Sequence, residues 1–193
     1  MTAAAGRRFD RWRRRLDPRT AALVEAVLTD LVPLYEQAEL LRHEDYAGGN
    51  AASVAASTIG LQRRAGLRWP TVEIQFDRGG KPRFNIGFAA LPETCTRWTT
   101  GTPVPIPRLA ANAVEGDAYF VLCKGERKTG DCSFGVTGIS LFPDARMSSD
   151  LALAISLSRW LVAQLETGLP EEWLAAPRGY VIDRVFKHPR LAG

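Results

Sequence analysis

The stretch Thr71-Val72-Glu73-Ile74-Gln75-Phe76-Asp77-Arg78-Gly79-Gly80-Lys81-Pro82-Arg83-Phe84-Asn85-Ile86-Gly87-Phe88 alternates apolar and polar residues on either side of a glycine-rich centre. A period of two marks strands with one apolar face, and the glycines and proline mark the turn between them, so the stretch reads as a β-hairpin. Burial sets its register. Residues that face each other must share a face, which puts Phe76 opposite Phe84, Ile74 opposite Ile86 and Val72 opposite Phe88. That pairing needs an odd loop, either three residues at Gly79-Gly80-Lys81 or five, with a glycine supplying the left-handed conformation. The same register sets Asp77 against Arg83 and Gln75 against Asn85 on the polar face, beside Glu73.

Working outward, Ile59 and Leu61 alternate with polar or small neighbours and read as a preceding strand. After the Pro-rich run Pro103-Val104-Pro105-Ile106-Pro107, which cannot be helical, a second hairpin is expected with arms Ala118 to Lys124 and Cys132 to Phe142. A turn centred on Arg127-Lys128 would set Cys123 against Cys132 across that ladder, where an oxidising medium would allow a disulfide. Asp17-Pro18 is a helix start, and Leu23, Val27, Leu31, Leu34, Ala38 and Leu41 carry an amphipathic helix over about 18–42, kinked or split at Pro33. Ser148, Ser149 and Asp150 supply N-cap and first-turn chemistry for a second long helix that runs to a stop at Gly168. Pro170-Glu171-Glu172-Trp173-Leu174 suggests another helical turn, and 179–186 a short closing strand. The whole is α+β: a mainly antiparallel sheet of about five or six strands built from consecutive hairpins and packed by two long helices.

At 193 residues and 46% hydrophobic the chain suits one domain with a core of its own, here 20–193, and its composition excludes a disordered or collagen-like protein. The formal net charge of +4 is uneven. Residues 1–19 hold seven arginines against Asp10 and Asp17, and are expected to be a basic disordered arm. Residues 20–46 carry Glu25, Asp30, Glu36, Glu39, Glu44 and Asp45 against Arg42 alone. That acidic helix face is suited to a basic protein partner, with Glu36, Glu39, Glu44 and Asp45 as the contact residues. Nucleic acid would be reached only through the arm from Arg7 to Arg19. No apolar run is long enough to span a bilayer, and three cysteines without an export signal suggest reduced thiols, so no membrane association and a cytoplasmic location are expected.

Catalytic signatures are lacking. His43 and His188 stand alone, Cys95, Cys123 and Cys132 have no metal spacing, and the glycine-rich tip from Lys124 to Gly130 does not keep the order of a phosphate-binding loop. No cofactor and no metal are therefore expected. The alternative to partner binding is a small enzyme or ligand-binding domain that uses the polar hairpin face of Glu73, Gln75, Asp77, Arg83 and Asn85, if that face is more than ordinary solvated sheet.

The runs Trp69-Pro70-Thr71-Val72-Glu73-Ile74-Gln75-Phe76, Phe88-Ala89-Ala90-Leu91-Pro92-Glu93, Cys95-Thr96-Arg97-Trp98 and Leu122-Cys123-Lys124-Gly125 lie in a layout that resembles small uncharacterised bacterial proteins, including immunity-type proteins of toxin systems. That resemblance spans about residues 20–175. It implies binding without catalysis: a non-enzymatic cytosolic protein that neutralises a partner toxin by protein–protein contact.

Overall fold

A computed structural model of the chain describes residues 4–42, 57–63, 71–90, 118–124, 132–136, 141–167, 169–177 and 179–187. Where the sequence reading expects a disordered arm, the chain forms helix α1, Ala4–Arg13. Phe9 enters the core and packs against Trp12 and Phe76, with ring centroids 5.5 and 6.1 Å away. Trp12 lies 5.7 Å from Phe76 in turn. Two aromatic side chains three positions apart thus give the arginine-rich segment an apolar face that its net charge conceals. Arg13 forms an ion pair with Glu25, and the Arg42 guanidinium sits 5.2 Å over the Phe9 ring.

The expected Asp17-Pro18 start is observed. Asp17 Oδ1 accepts from the amides of Arg19 and Thr20 at 3.0 and 3.1 Å, opening helix α2, Pro18–Ala26. Thr20 Oγ1 lies 2.6 Å from both Asp17 Oδ2 and the Gly80 carbonyl, which fastens the helix start to the hairpin loop. Pro33 splits the helix as expected, but by a route periodicity does not specify. A proline ring collides with the carbonyl four residues back, and the chain relieves this by widening to a π turn over Val27–Leu31 before helix α3, Val32–Gln37. The helix does not reach residue 42. Glu39 adopts φ 62°, and the chain turns into strand β1, Leu40–Arg42.

Seven further strands are described: β2 Thr58–Arg63, β3 Thr71–Phe76, β4 Arg83–Ala90, β5 Ala118–Leu122, β6 Phe134–Gly135, β7 Tyr180–Ile182 and β8 Val185–Lys187. They make one antiparallel sheet in the order β1-β2-β3-β4-β5-β8-β7, with β6 also on β4. The fold is α+β, with eight described strands where five or six were expected, because β1 is added and the closing strand expected over 179–186 is a hairpin of two, β7 and β8. The β3–β4 register is the one the alternation requires: Phe76 pairs with Phe84, Ile74 with Ile86, Val72 with Phe88 and Gln75 with Asn85. The loop is the five-residue option. Asp77 N–H donates to the Arg83 carbonyl at 3.0 Å, and Gly80 at φ 78° takes the left-handed position.

The second hairpin is not formed as expected. β5 and β6 do not pair with each other; both lie along the same edge of β4, Phe120 opposite Phe88 and Phe134 opposite Phe84. They are two halves of one interrupted strand, whose pairing with β4 stops after Val121 and resumes at Phe134. What misled the sequence reading is that both halves carry strand-like residues, so a glycine-bearing excursion between them looks like a hairpin turn.

Helix α4 also departs from expectation. It spans Pro143–Thr167, so it begins several residues before the Ser148-Ser149-Asp150 group, which therefore lies inside the helix and caps nothing. Its buried residues Asp150, Ala154, Leu157, Ser158, Leu161 and Leu165 form one stripe. α4 packs on β6 and on α3, and helix α5, Glu171–Ala175, brings Trp173 over Phe88 and Phe120. The core lies between these helices and the sheet face bearing Ile59, Leu61, Val72, Ile74, Phe84, Ile86, Phe88, Phe120 and Phe134.

Two carboxylates give this fold an acid limit. The Thr20 hydroxyl and amide hold the Asp17 carboxyl below its usual range. At Asp77 burial acts to raise the value, but the Arg83 hydrogen bond, the Lys81 amide and the guanidinium charge together outweigh it and lower the value. Between the lowered native values and the ordinary value near 4, the unfolded chain binds these protons and the native chain does not, so stability falls as the pH drops through that window. Urea midpoints measured from pH 5 to pH 2 should be flat at first and then decline below about pH 4. Asp17→Asn with Asp77→Asn should flatten the decline; a double variant that keeps the full slope would assign it elsewhere.

Candidate functional site

Among the described residues, the end of the acidic helix face borders a cleft. α3 ends at Gln37, and Glu39 in its left-handed conformation reverses the chain so that Leu40 turns inward. Across from this corner run Val162, Leu165 and Glu166 in the last turns of α4. Together with Gln37, Ala38, Glu39 and Leu40 they enclose about 370 Å³. The lining is apolar at Ala38, Leu40, Val162 and Leu165, and carries carboxylates at Glu39 and Glu166.

Backbone electrostatics act in the same direction. α3 and α4 both end beside the cleft, at Gln37 and Thr167, and a helix C-terminus carries a partial negative charge. Two carboxylates and two negative helix ends around an apolar floor favour a cation attached to an apolar stem. The wall spacing is fixed from within: the buried Tyr35 hydroxyl donates to Ser158 Oγ at 2.7 Å, tying α3 to α4. Burial pushes the Tyr35 hydroxyl pKa up, against the smaller lowering effect of that hydrogen bond, so it remains a donor at any physiological pH.

Of the acidic residues singled out in the sequence, Glu39 lines the cleft and Glu36 is exposed on the preceding turn. Glu44 and Asp45 lie outside the described residues, as do His43, His188, Cys95, Trp69, Trp98 and the Pro-rich run. Glu25 is already paired with Arg13 and does not extend the cleft. Glu166 was missed in the sequence. The signal was present, since an acid in the last turn of a helix opposes the dipole and calls for another reason to be there.

The alternative polar face is brought together, with Glu73 buried and Gln75, Asp77, Arg83 and Asn85 half-buried. Glu73 is 2% exposed, and its cross-strand neighbours are Gly60 on one side and Gly87 on the other. Gln75 Nε2 donates to Glu73 Oε2. Arg83 Nε donates to Asp77 Oδ2 at 2.7 Å, so these two serve to close the hairpin. Asn85 reaches the edge where the strand is interrupted. Its amide lies 2.8 Å from Ser133 Oγ, and the orientation that satisfies its neighbours has its nitrogen donating to the Cys132 carbonyl at 3.0 Å.

That interruption holds a third cluster. Lys124 Nζ is 2.5 Å from Asp150 Oδ2, which also accepts from the Gly135 amide at 2.8 Å. One carboxylate from α4 therefore ties the exit of β5 to the entry of β6, and Lys124 also stands 5.8 Å over the Phe134 ring. Among the described residues no group of three His, Cys, Asp or Glu side chains is placed to hold a metal. No helix there is long and apolar enough to cross a membrane. Comparisons with protein-family models, with curated proteins and with solved structures found no match.

Proposed function

We propose that this protein is a non-enzymatic binding protein whose acidic cleft takes a basic segment of a protein partner. The observation that carries the reading is the junction of Glu39 and Glu166 with the C-termini of α3 and α4 over an apolar floor. Such a site suits a lysine or arginine whose methylenes lie along Leu40, Val162 and Leu165 while its charge meets the carboxylates. Glu36 adds a carboxylate on the preceding turn, and Glu44 and Asp45 follow in the sequence as further acidic residues. Neutralisation of a bacterial toxin in the cytoplasm, as the sequence resemblance implies, is one setting for such binding. Two of the seven arginines in the arm, Arg13 and Arg19, are engaged with Glu25 and Asp144 of this chain.

The reading is tested by titrating the labelled protein with a short synthetic peptide of alternating leucine and arginine and following backbone amide shifts. Saturable shifts at residues 37–40 and 162–166 that weaken with added salt are expected. Shifts scattered over the surface, or none at millimolar peptide, would overturn it.

A second reading, a small enzyme or ligand-binding domain on the Glu73, Gln75 and Asn85 face, draws support from the burial of Glu73 between two glycines. A fragment screen in which no compound moves the Gln75 or Asn85 side-chain amide signals would remove it.

A further inference from the structure

The excursion between β5 and β6 is closed at its base by two sulfurs. Cys123 Sγ and Cys132 Sγ lie 2.8 Å apart, and both residues are thiols. Neither is where the sequence puts it, opposite the other across a ladder. Cys123 follows the last residue of β5, and Cys132 stands two residues before Phe134, where pairing with β4 resumes.

Both anchors are held by the surrounding sheet. The Cys123 amide donates to the Arg184 carbonyl at 2.8 Å, which fixes it against the β7–β8 turn. The Cys132 carbonyl accepts from the Asn85 amide at 3.0 Å, and Ser133 Oγ is 2.8 Å from that same side chain. Immediately outside the sulfurs, Asp150 binds both Lys124 and the Gly135 amide. The two thiols are therefore held close by contacts that the described residues on either side make with the sheet and with α4. A disulfide demands close, pre-set β-carbons, and a site that already holds its sulfurs in contact forms the bond with little rearrangement.

We propose that Cys123 and Cys132 are a reversible intramolecular disulfide site that joins the end of β5 to the start of β6. This inference does not depend on the acidic cleft. The oxidant is a low-molecular-weight disulfide of the glutathione class. Exposure assigns the roles, since Cys132 is half-buried and Cys123 fully buried. The Cys132 thiolate attacks one sulfur of the small disulfide, the S–S bond breaks, and one thiolate leaves with the electron pair. The Cys123 thiolate then attacks the Cys132 sulfur of the mixed disulfide and expels the second small thiolate. Two protein thiols are oxidised, one small disulfide is reduced to two thiols, and the two protons pass to the leaving thiolates.

The test uses the full chain with Cys95→Ser, so that only the two thiols in question remain, alongside the wild-type protein as a control for folding. After incubation with oxidised glutathione the variant should lose both titratable thiols, lose two hydrogens in mass, and give a non-reduced peptide that joins Cys123 to Cys132. Closing so short a loop should raise Tm by about 5–10 °C, reversed by dithiothreitol. In the wild-type protein the same cross-linked peptide should appear. Adding Cys123→Ser should instead trap a stable glutathione adduct on Cys132, while Cys132→Ser should react at least tenfold more slowly. Two retained thiols, a persistent glutathione adduct with both cysteines present, a covalent dimer, or a lowered Tm on oxidation would each overturn the proposal.

Discussion

Replacing Asp150 with alanine should destabilise the protein by about 3–4 kcal/mol, a loss of roughly 10 °C in Tm for a chain of this size. The carboxylate has two dependants. It is the ion-pair partner of Lys124, whose side chain is 13% exposed, and the acceptor for the Gly135 amide. Alanine leaves a nearly buried ammonium and a buried N–H without that acceptor. The residual exposure of the pair places the cost at the lower end of the range for breaking a buried ion pair. Asp150→Asn separates the two roles, because an amide oxygen can still accept from Gly135 but no longer balances the charge. Urea denaturation of Asp150→Ala, Asp150→Asn and Asp150→Asn with Lys124→Met should show stability recovered stepwise across the series. Equal stability for all three would mean that the carboxylate does not organise the interrupted strand.

Gly135→Ala should cost at least about 3 kcal/mol, by a different mechanism. Gly135 sits at φ 106°, a backbone conformation closed to residues with a β-carbon, and a β-carbon built there would lie 2.3 Å from the Pro82 carbonyl oxygen. That oxygen cannot withdraw freely, because it accepts from the Val136 amide at 2.9 Å. The variant must detach β6 from β4. Gly179→Ala provides the control: φ is 81°, but nothing lies within 4 Å of the added carbon, so strain alone applies and about 1 kcal/mol is expected. Thermal melts of the two variants should differ severalfold in their shift. Matching shifts would show that backbone strain, and not the close approach to Pro82, sets the requirement for glycine at 135.

The hairpin at 71–88 was fully legible because two independent constraints agree there: alternation fixes which residues share a face, and burial fixes which of them pair. The interrupted strand was not. β6 is two residues long, too short for any period to register, and it is held by a carboxylate that comes from a distant helix. Asp150 itself was misread because Ser-Ser-Asp before an apolar run has the composition of an N-cap. Pro143 at the first position of α4 was the better start signal, and it places Asp150 on the same stripe as Ala154, Leu157 and Leu161. The first helix face was legible as acidic, and Glu39 does line the cleft. The opposite wall was not, since Val162, Leu165 and Glu166 meet Glu39 only through the packing of α4 on α3. Glu73 shows the reverse case: alternation correctly placed it on the second face, but alternation says nothing about whether that face is covered.

Basic-partner binding requires that the cleft between the ends of α3 and α4 select cations. Isothermal titration of the leucine–arginine peptide into the wild-type protein and into the Glu39→Lys, Glu166→Lys variant tests this most directly, with circular dichroism to show that the variant is folded. Both carboxylates are at the protein surface, so reversal should not disturb the core. Saturable binding to the wild type that falls at least tenfold in the variant and declines with salt is expected. Equal affinity for the two proteins would contradict it.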